Sequence, residues 1–237
     1  GTMEAYFAAK CQLFHQHLLP AELGGRAVIN LDDPWGRRLF ATLPPAQRIG
    51  FSLTEPADVS VVREKTGVEG ISAVFSTPVG EVTLQSPLTG QFNLSNLALS
   101  IGIGVALGLS AVQIGRGLSR LSGVPGRLER VPSRRGPTVL VDYAHTPDAL
   151  SRVLSTLRPL TTSHAKRGRL LVVFGCGGDR DAGKRPLMGR AAAEEADLVI
   201  VTSDNPRSEN PQGIIDMIVA GVESTGRLTS LLDRGQL

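Results

Sequence analysis

From residue 138 onward the chain alternates short apolar runs with longer apolar stripes at helical spacing. Thr138-Val139-Leu140-Val141 is one such run, closed by Asp142-Tyr143-Ala144-His145. Thr146 then reads as an N-cap with Pro147 at the first helical position, and Leu150, Val153, Leu154 and Leu157 share one helical face. Arg169 to Gly178 is a β-branched run that stops at a glycine cluster, and Asp179-Arg180-Asp181 follows before another helix. Asp197 to Thr202 is a third buried run, ending in Asp204-Asn205-Pro206-Arg207. Strand alternating with helix three times predicts a parallel sheet with right-handed crossovers. All three polar segments would then lie along the same sheet edge, where ligands bind in open α/β sheets.

The first half is patterned differently. Met3 to Leu18 has helical character, with Tyr6, Phe7, Leu13, Phe14 and Leu18 among its apolar positions and Lys10 in its middle. Ala27 to Asn30 is a short strand, and Asp33-Pro34 caps a helix through Phe40. Residues 57–86 alternate and carry turn signals near Gly67, Gly70 and Pro78-Val79-Gly80, which predicts a small antiparallel set. A helix runs from Asn93 to Leu107, and Ser110 caps a second one with Ile114, Leu118 and Leu121 inward. The breaker-rich run Pro132 to Pro137 marks the expected domain boundary, after residue 134.

Composition narrows the function classes. The chain has 237 residues, enough to bury a core as one or two domains. Its net charge of +3 comes from scattered residues, which disfavours a nucleic-acid partner, and 4% aromatics give no stacking platform for single strands. Cys11 and Cys176 fall in different elements, a usage that fits a reducing compartment, and Cys176 reads as a small residue packed in a glycine turn. Leu97 to Leu109 is too short and glycine-rich to cross a bilayer. A soluble cytoplasmic protein, acting as a monomer, is expected.

The sharpest chemistry lies in residues 204–207. Arg and Asn at a strand's C-terminal end form a carboxylate clamp, and the proline before Arg207 presents its guanidinium at lower entropic cost. An ordinary surface turn would use the same residue types, so the tetrapeptide alone leaves both readings open.

The strings GTMEAYFAAK, FNLSNLALS, PGRLERV, VDYAHTPDAL, VVFGCGGDRDAGKRP and SDNPRSENP, in that order, carry a resemblance. They resemble the Mur ligase family, most of all the branch that adds the third amino acid of the peptidoglycan stem. The resemblance runs from residue 1 to about residue 230, and it is the combination that is specific. It implies an α/β fold: a partial central ATPase domain over residues 1–134, then a partial Rossmann-like C-terminal domain over 135–237 with a mainly parallel sheet. A Gly-x-x-Gly-Lys-Thr phosphate loop is absent from these residues, since Gly183-Lys184 leads into Arg185. The family pattern places that loop before Gly1 and a Lys-Gly-His-Glu segment after Leu237, so a piece lacking both ends, inactive by itself, is expected.

The implied reaction is ATP-dependent. A D-glutamyl carboxylate is phosphorylated, and the amine of the third amino acid attacks the acyl phosphate. The resemblance implies UDP-N-acetylmuramoyl-L-alanyl-D-glutamate and meso-diaminopimelate as substrates, with ATP and Mg2+. Lys10 matches the family's carbamylated lysine, an anionic magnesium ligand; Asn93, Arg127 and Asp142 match nucleotide-contacting positions, with Asn96 and His145 close by. Arg180, Asp204, Asn205 and Arg207 match the amino-acid pocket. Diaminopimelate carries a second carboxylate that lysine lacks, and two arginines left facing each other without it would favour diaminopimelate by roughly a thousandfold. A lysine-adding homologue and a non-catalytic amino-acid-binding remnant are the alternatives. A folylpolyglutamate synthetase is disfavoured by the DNPR and YAHTP strings.

Overall fold

The computed structural model describes residues 2–18, 24–132, 136–162, 168–223 and 230–231. The chain divides into two compact units, Gly1–Val124 and Pro125–Leu237. The boundary expected after residue 134 falls outside the described residues. The observed division precedes it because Glu129–Val131 pairs with a strand of the second unit.

In the first unit, α1 (Met3–Gln12) starts at Thr2, whose hydroxyl accepts from Ala5 N–H at 3.2 Å, and continues as a π-helical stretch over Leu13–Leu18. β1 (Ala27–Asn30) leads to α2 (Pro34–Thr42), capped by the Asp33 carboxylate on Trp35 and Gly36 N–H with Pro34 at its start. The sheet then adds β2 (Arg48–Ser52), β3 (Val59–Gly67), β4 (Gly70–Ser76) and β5 (Val82–Ser86) in sequence order. The pairs β1–β2 and β2–β3 are parallel, and β3–β4 and β4–β5 antiparallel, as the alternation over 57–86 predicts. α3 (Gln91–Ala106) lays Leu94, Leu97, Ala98 and Ile101 onto Phe51, Ile71, Phe75 and Leu84 of that sheet. Each fully buried Leu, Ile or Phe among them contributes about 1.5–3 kcal/mol. α4 (Ala111–Ser119) opens with a reciprocal Ser110–Gln113 capping box.

α3 begins two residues before Asn93, behind Gly90 at φ +94°. Asn93 is therefore inside the first turn and 2% exposed, and it does not open the helix.

The second unit contains β6 (Glu129–Val131), β7 (Val139–Val141), α5 (Pro147–Thr162), β8 (Leu171–Phe174), α6 (Lys184–Glu195), β9 (Leu198–Val201), α7 (Pro211–Glu223) and β10 (Ser230–Leu231). β8, β9 and β10 form a parallel sheet in the order β10-β9-β8. β7 was expected in that ladder and instead pairs antiparallel with β6. The Asp142 carboxylate fixes this pairing by accepting from Leu128 N–H at 2.9 Å. The core gathers Leu150, Leu154, Met188, Val199, Val201 and Ile218.

α6 and α7 touch backbone to backbone. A Cβ on Gly189 would lie 2.0 Å from the Ile218 carbonyl oxygen, and one on Gly221 2.0 Å from that of Pro186. Only glycine permits that approach.

Candidate functional site

β8 and β9 run parallel and adjacent, so their C-terminal loops leave side by side. The glycine cluster lets those loops meet without intervening side chains. A Cβ on Gly175 would stand 2.3 Å from Thr202 O, and one on Gly178 1.8 Å from Pro206 O. Gly178 N–H donates to Asn205 O at 3.1 Å, and the Arg207 guanidinium donates back to Gly178 O.

Three non-glycine residues of these loops are left-handed: Asp179 at φ +52°, Asn205 at +45° and Arg207 at +52°. Asp and Asn visit this region readily, whereas for Arg207 it costs about 1–2 kcal/mol. Such strain persists only where the surroundings hold it.

The holding contacts are ionic. Arg185, the second residue of α6, is 1% exposed and donates to both Glu209 oxygens, at 2.7 and 2.8 Å, from Nη2 and Nη1. Glu209 also accepts from Asp179 N–H at 2.6 Å. Asp179 in turn accepts from the Ser208 hydroxyl at 2.7 Å and from Ser208 N–H at 3.3 Å. The Arg185 guanidinium, with the Asp179 amide, holds the Glu209 carboxyl below the usual carboxylate range, and the Ser208 donors lower Asp179 likewise. Hydrogen bonding to Glu209 raises Arg185.

Arg180, Asp204, Asn205 and Arg207 are thus brought onto two interlocked loops, all four exposed. The Arg180 Nη1 lies 3.4 Å from Asp179 O. Arg207 spends one donor on Gly178 O and keeps others of its fork for a ligand. Cys176 is buried at 3%, with its Sγ 3.7 Å from Met188 Sδ; burial, reinforced by Asp204, pushes its thiol up, which suits packing and not nucleophilic attack.

The segment after β7 reaches the same helix by another route. Lys184 Nζ donates to His145 O at 2.8 Å, tying this loop to the start of α6. Asp142 spends its two oxygens on Leu128 and Ala144 N–H, both at 2.9 Å, and Tyr143 N–H donates to Gly126 O at 2.8 Å. These bonds pin a turn containing Gly126 at φ +68° and Leu128 at φ +44°, which presents exposed Arg127. His145 contacts Tyr143 through Nδ1, 3.0 Å from Tyr143 O, and through the rings at 5.1 Å.

In the first unit, Asn93 donates to Thr89 O at 2.8 Å, and Asn96 donates to Asn93 Oδ1 at 3.3 Å. Thr89 is 1% exposed and its hydroxyl has no partner. An orphaned hydroxyl beside two amides at a long helix's N-terminus suits a polar, anionic ligand. Lys10 is exposed on α1 with its ammonium 5.3 Å from the Tyr6 ring. Among the described residues no three His, Cys, Asp or Glu gather where they could hold a metal.

Asp179, Arg185, Ser208 and Glu209 were missed as site residues. Their only sequence signal was position: an acidic residue after the glycines, an arginine opening the next helix, and Ser-Glu directly after DNPR.

Both units are α/β folds, the first with a mixed sheet and the second with a parallel three-stranded one, and the second carries a cationic amide-and-guanidinium edge suited to a carboxylate. The profile of the Mur ligase middle domain matches residues 1–104, and that of the Mur ligase glutamate ligase domain matches residues 126–236. The chain belongs to the Mur ligase family. It is 51% identical over 221 residues to the UDP-N-acetylmuramoyl-L-alanyl-D-glutamate–2,6-diaminopimelate ligase of Gloeobacter violaceus, covering 93% of this chain and 43% of the relative. The ligase of the same name from Synechococcus elongatus is 47% identical over 235 residues, covering 99% of this chain and 46% of the relative. A solved structure of a ligase of that name matches with TM-score 0.64 and 36% identity, covering all of this chain and 47% of the other. A folylpolyglutamate synthase of Mycobacterium tuberculosis, solved with ADP, shares the fold at TM-score 0.68 and 23% identity, covering 98% of this chain and 50% of the other. The chain spans about half the length of these relatives. Among the described residues no helix is long and apolar enough to cross a membrane.

Proposed function

We propose that these two units are the middle and C-terminal parts of a cytoplasmic, ATP-dependent ligase. It joins meso-diaminopimelate to UDP-N-acetylmuramoyl-L-alanyl-D-glutamate in peptidoglycan synthesis. The observation that carries the proposal is the pair of interlocked loops at the ends of β8 and β9, which set Arg180, Asn205 and Arg207 on one edge.

In this reading the far carboxylate of diaminopimelate is held by Arg180 and Arg207, with the Asn205 amide as a further donor. Thr89, Asn93 and Asn96 at the start of α3 are the nucleotide-binding candidates of the first unit, and Arg127 on its pinned turn is that of the second. Asp142 keeps that turn in shape, and each of its oxygens keeps a lone pair that could accept from a ribose hydroxyl; His145 helps hold the loop. A carbamate on Lys10 would supply an oxygen ligand for Mg2+, which offsets phosphate charge when bound. The γ-phosphoryl group passes to the glutamyl carboxylate and ADP departs. The amine nitrogen of diaminopimelate then bonds to the acyl carbon, inorganic phosphate leaves with the former carboxylate oxygen, and the ammonium proton is lost. Arg180 and Arg207 act by anchoring the far end of the amino acid, which positions its amine.

The clamp is exposed, so its worth is less than that of a buried pair. Charge-assisted hydrogen bonds of about 1.5–3 kcal/mol give roughly ten- to hundredfold preference over lysine, not a thousandfold. Titration of the isotope-labelled chain with meso-diaminopimelate and with L-lysine, followed by NMR, tests this. The parent should prefer diaminopimelate by that factor and Arg207→Ala should lose the preference. Equal affinity of the parent for both amino acids would sink the assignment.

A further inference from the structure

Among the described residues Arg185 is the largest fully buried side chain. A buried guanidinium is costly to desolvate, and an apolar side chain of similar volume usually serves stability as well or better. Its retention therefore calls for a role that an apolar residue could not fill.

Its contacts define that role. Nη1 and Nη2 grip Glu209, which lies two residues beyond Arg207, and Nη2 also lies 3.4 Å from Gly177 O in the other loop. Glu209 passes the tie on to Asp179 N–H, the residue beside Arg180. One planar fork thus fixes the DNPR loop, the glycine loop and the start of α6 relative to one another. The guanidinium Nε has no hydrogen-bond partner, so the two terminal nitrogens carry the whole arrangement. Asp179 lies shortly before Arg185 in sequence, and Asn205 and Arg207 shortly before Glu209; these left-handed residues carry or adjoin the three anchoring side chains.

We infer that the Arg185–Glu209 pair is a positioning device that sets the spacing between Arg180 and the Asn205/Arg207 edge, and thereby the selectivity for an amino acid bearing a distal carboxylate. The inference rests on the proposed amino-acid pocket. Neither residue touches the substrate; both act through the loops they lock. Loss of the lock releases the strained backbone, and the anchors drift from the spacing that a single carboxylate can bridge. Lysine has no distal carboxylate, so its binding is little changed.

The test is NMR titration of the 237-residue chain and its variants with meso-diaminopimelate and with L-lysine. Glu209→Gln should weaken diaminopimelate binding about tenfold or more and leave lysine within about twofold, so the selectivity ratio collapses. A purely structural role would lower the unfolding midpoint without altering the dissociation constant of the folded chain. Arg185→Lys keeps the charge and loses the fork, and it should weaken diaminopimelate binding about threefold or more; it decides the matter should Glu209→Gln not fold. Folded variants that bind both amino acids as the parent does would overturn the inference and leave the proposed function standing. A parent that gives no diaminopimelate-dependent shifts would overturn both.

Discussion

Gly178→Ala is the most direct probe of the interlocked loops. The added Cβ would lie 1.8 Å from Pro206 O and 2.6 Å from the Pro206 carbonyl carbon. An ordinary carbon–oxygen contact is about 3.3 Å, so one loop must retreat by about 1.5 Å from the 1.8 Å position. Two hydrogen bonds span that gap, from Gly178 N–H to Asn205 O and from Arg207 to Gly178 O, and neither survives such a shift. Losing them at about 1 kcal/mol each, with about 1–3 kcal/mol of overpacking strain, predicts a loss of about 3–5 kcal/mol. Hydrogen exchange read peptide by peptide is the assay. Amides of β8 and β9 should exchange at least about a hundredfold faster in the variant. Gly213→Ala is the control: its Cβ would meet nothing within 4 Å inside α7, and it should stabilise the helix by about 0.5–1 kcal/mol. Acceleration below about fivefold in Gly178→Ala would refute backbone contact between the loops.

Two further predictions concern the first unit. Burial pushes the Asp32 carboxyl up, but hydrogen bonds from Ser52, Leu53 and Thr54 outweigh it and bring the group below its ordinary value. A depressed carboxylate adds stability above its unfolded pKa and loses it as pH falls through the folded one; urea midpoints read from Trp35, the sole tryptophan, should therefore drop as pH falls below about 4, and less so in Asp32→Asn. An equal drop in both chains would remove Asp32 from the acid response. In a ligase completed with the remaining segments of the Gloeobacter violaceus relative, Lys10→Ala should cut turnover at least about a hundredfold, with partial rescue by short carboxylates. Exposed Lys10 should change stability by less than about 0.5 kcal/mol, and near-parental turnover would exclude it from the chemistry.

Where neighbours in sequence decide the structure, the chain was readable. Asp33-Pro34, Ser110 and the alternation over 57–86 each specify an element locally, and each element formed. β2 was overlooked because Gly50 interrupts a five-residue run just after Pro44-Pro45, although it is the buried strand joining β1 to β3. β7 was assigned the wrong partner because β6 is three exposed residues without alternation, and only the Asp142–Leu128 bond across fourteen positions reveals the pairing. The side chains proposed to anchor a carboxylate stood out by type and spacing. Their support did not, since Arg185 meets Glu209 across twenty-four positions and no periodicity encodes such a contact.

The backbone contact between α6 and α7 bears on how such a protein can diverge. Each helix starts where one of the two interlocked loops ends, and Gly189 and Gly221 leave no room between the helices for even a methyl group. The loops are therefore mounted on a frame that cannot widen by gradual substitution along the helices. Under the proposed function, a descendant recruiting a longer or shorter amino acid would change the tips themselves, at positions such as 180, 205 and 207, while the scaffold beneath is inherited intact.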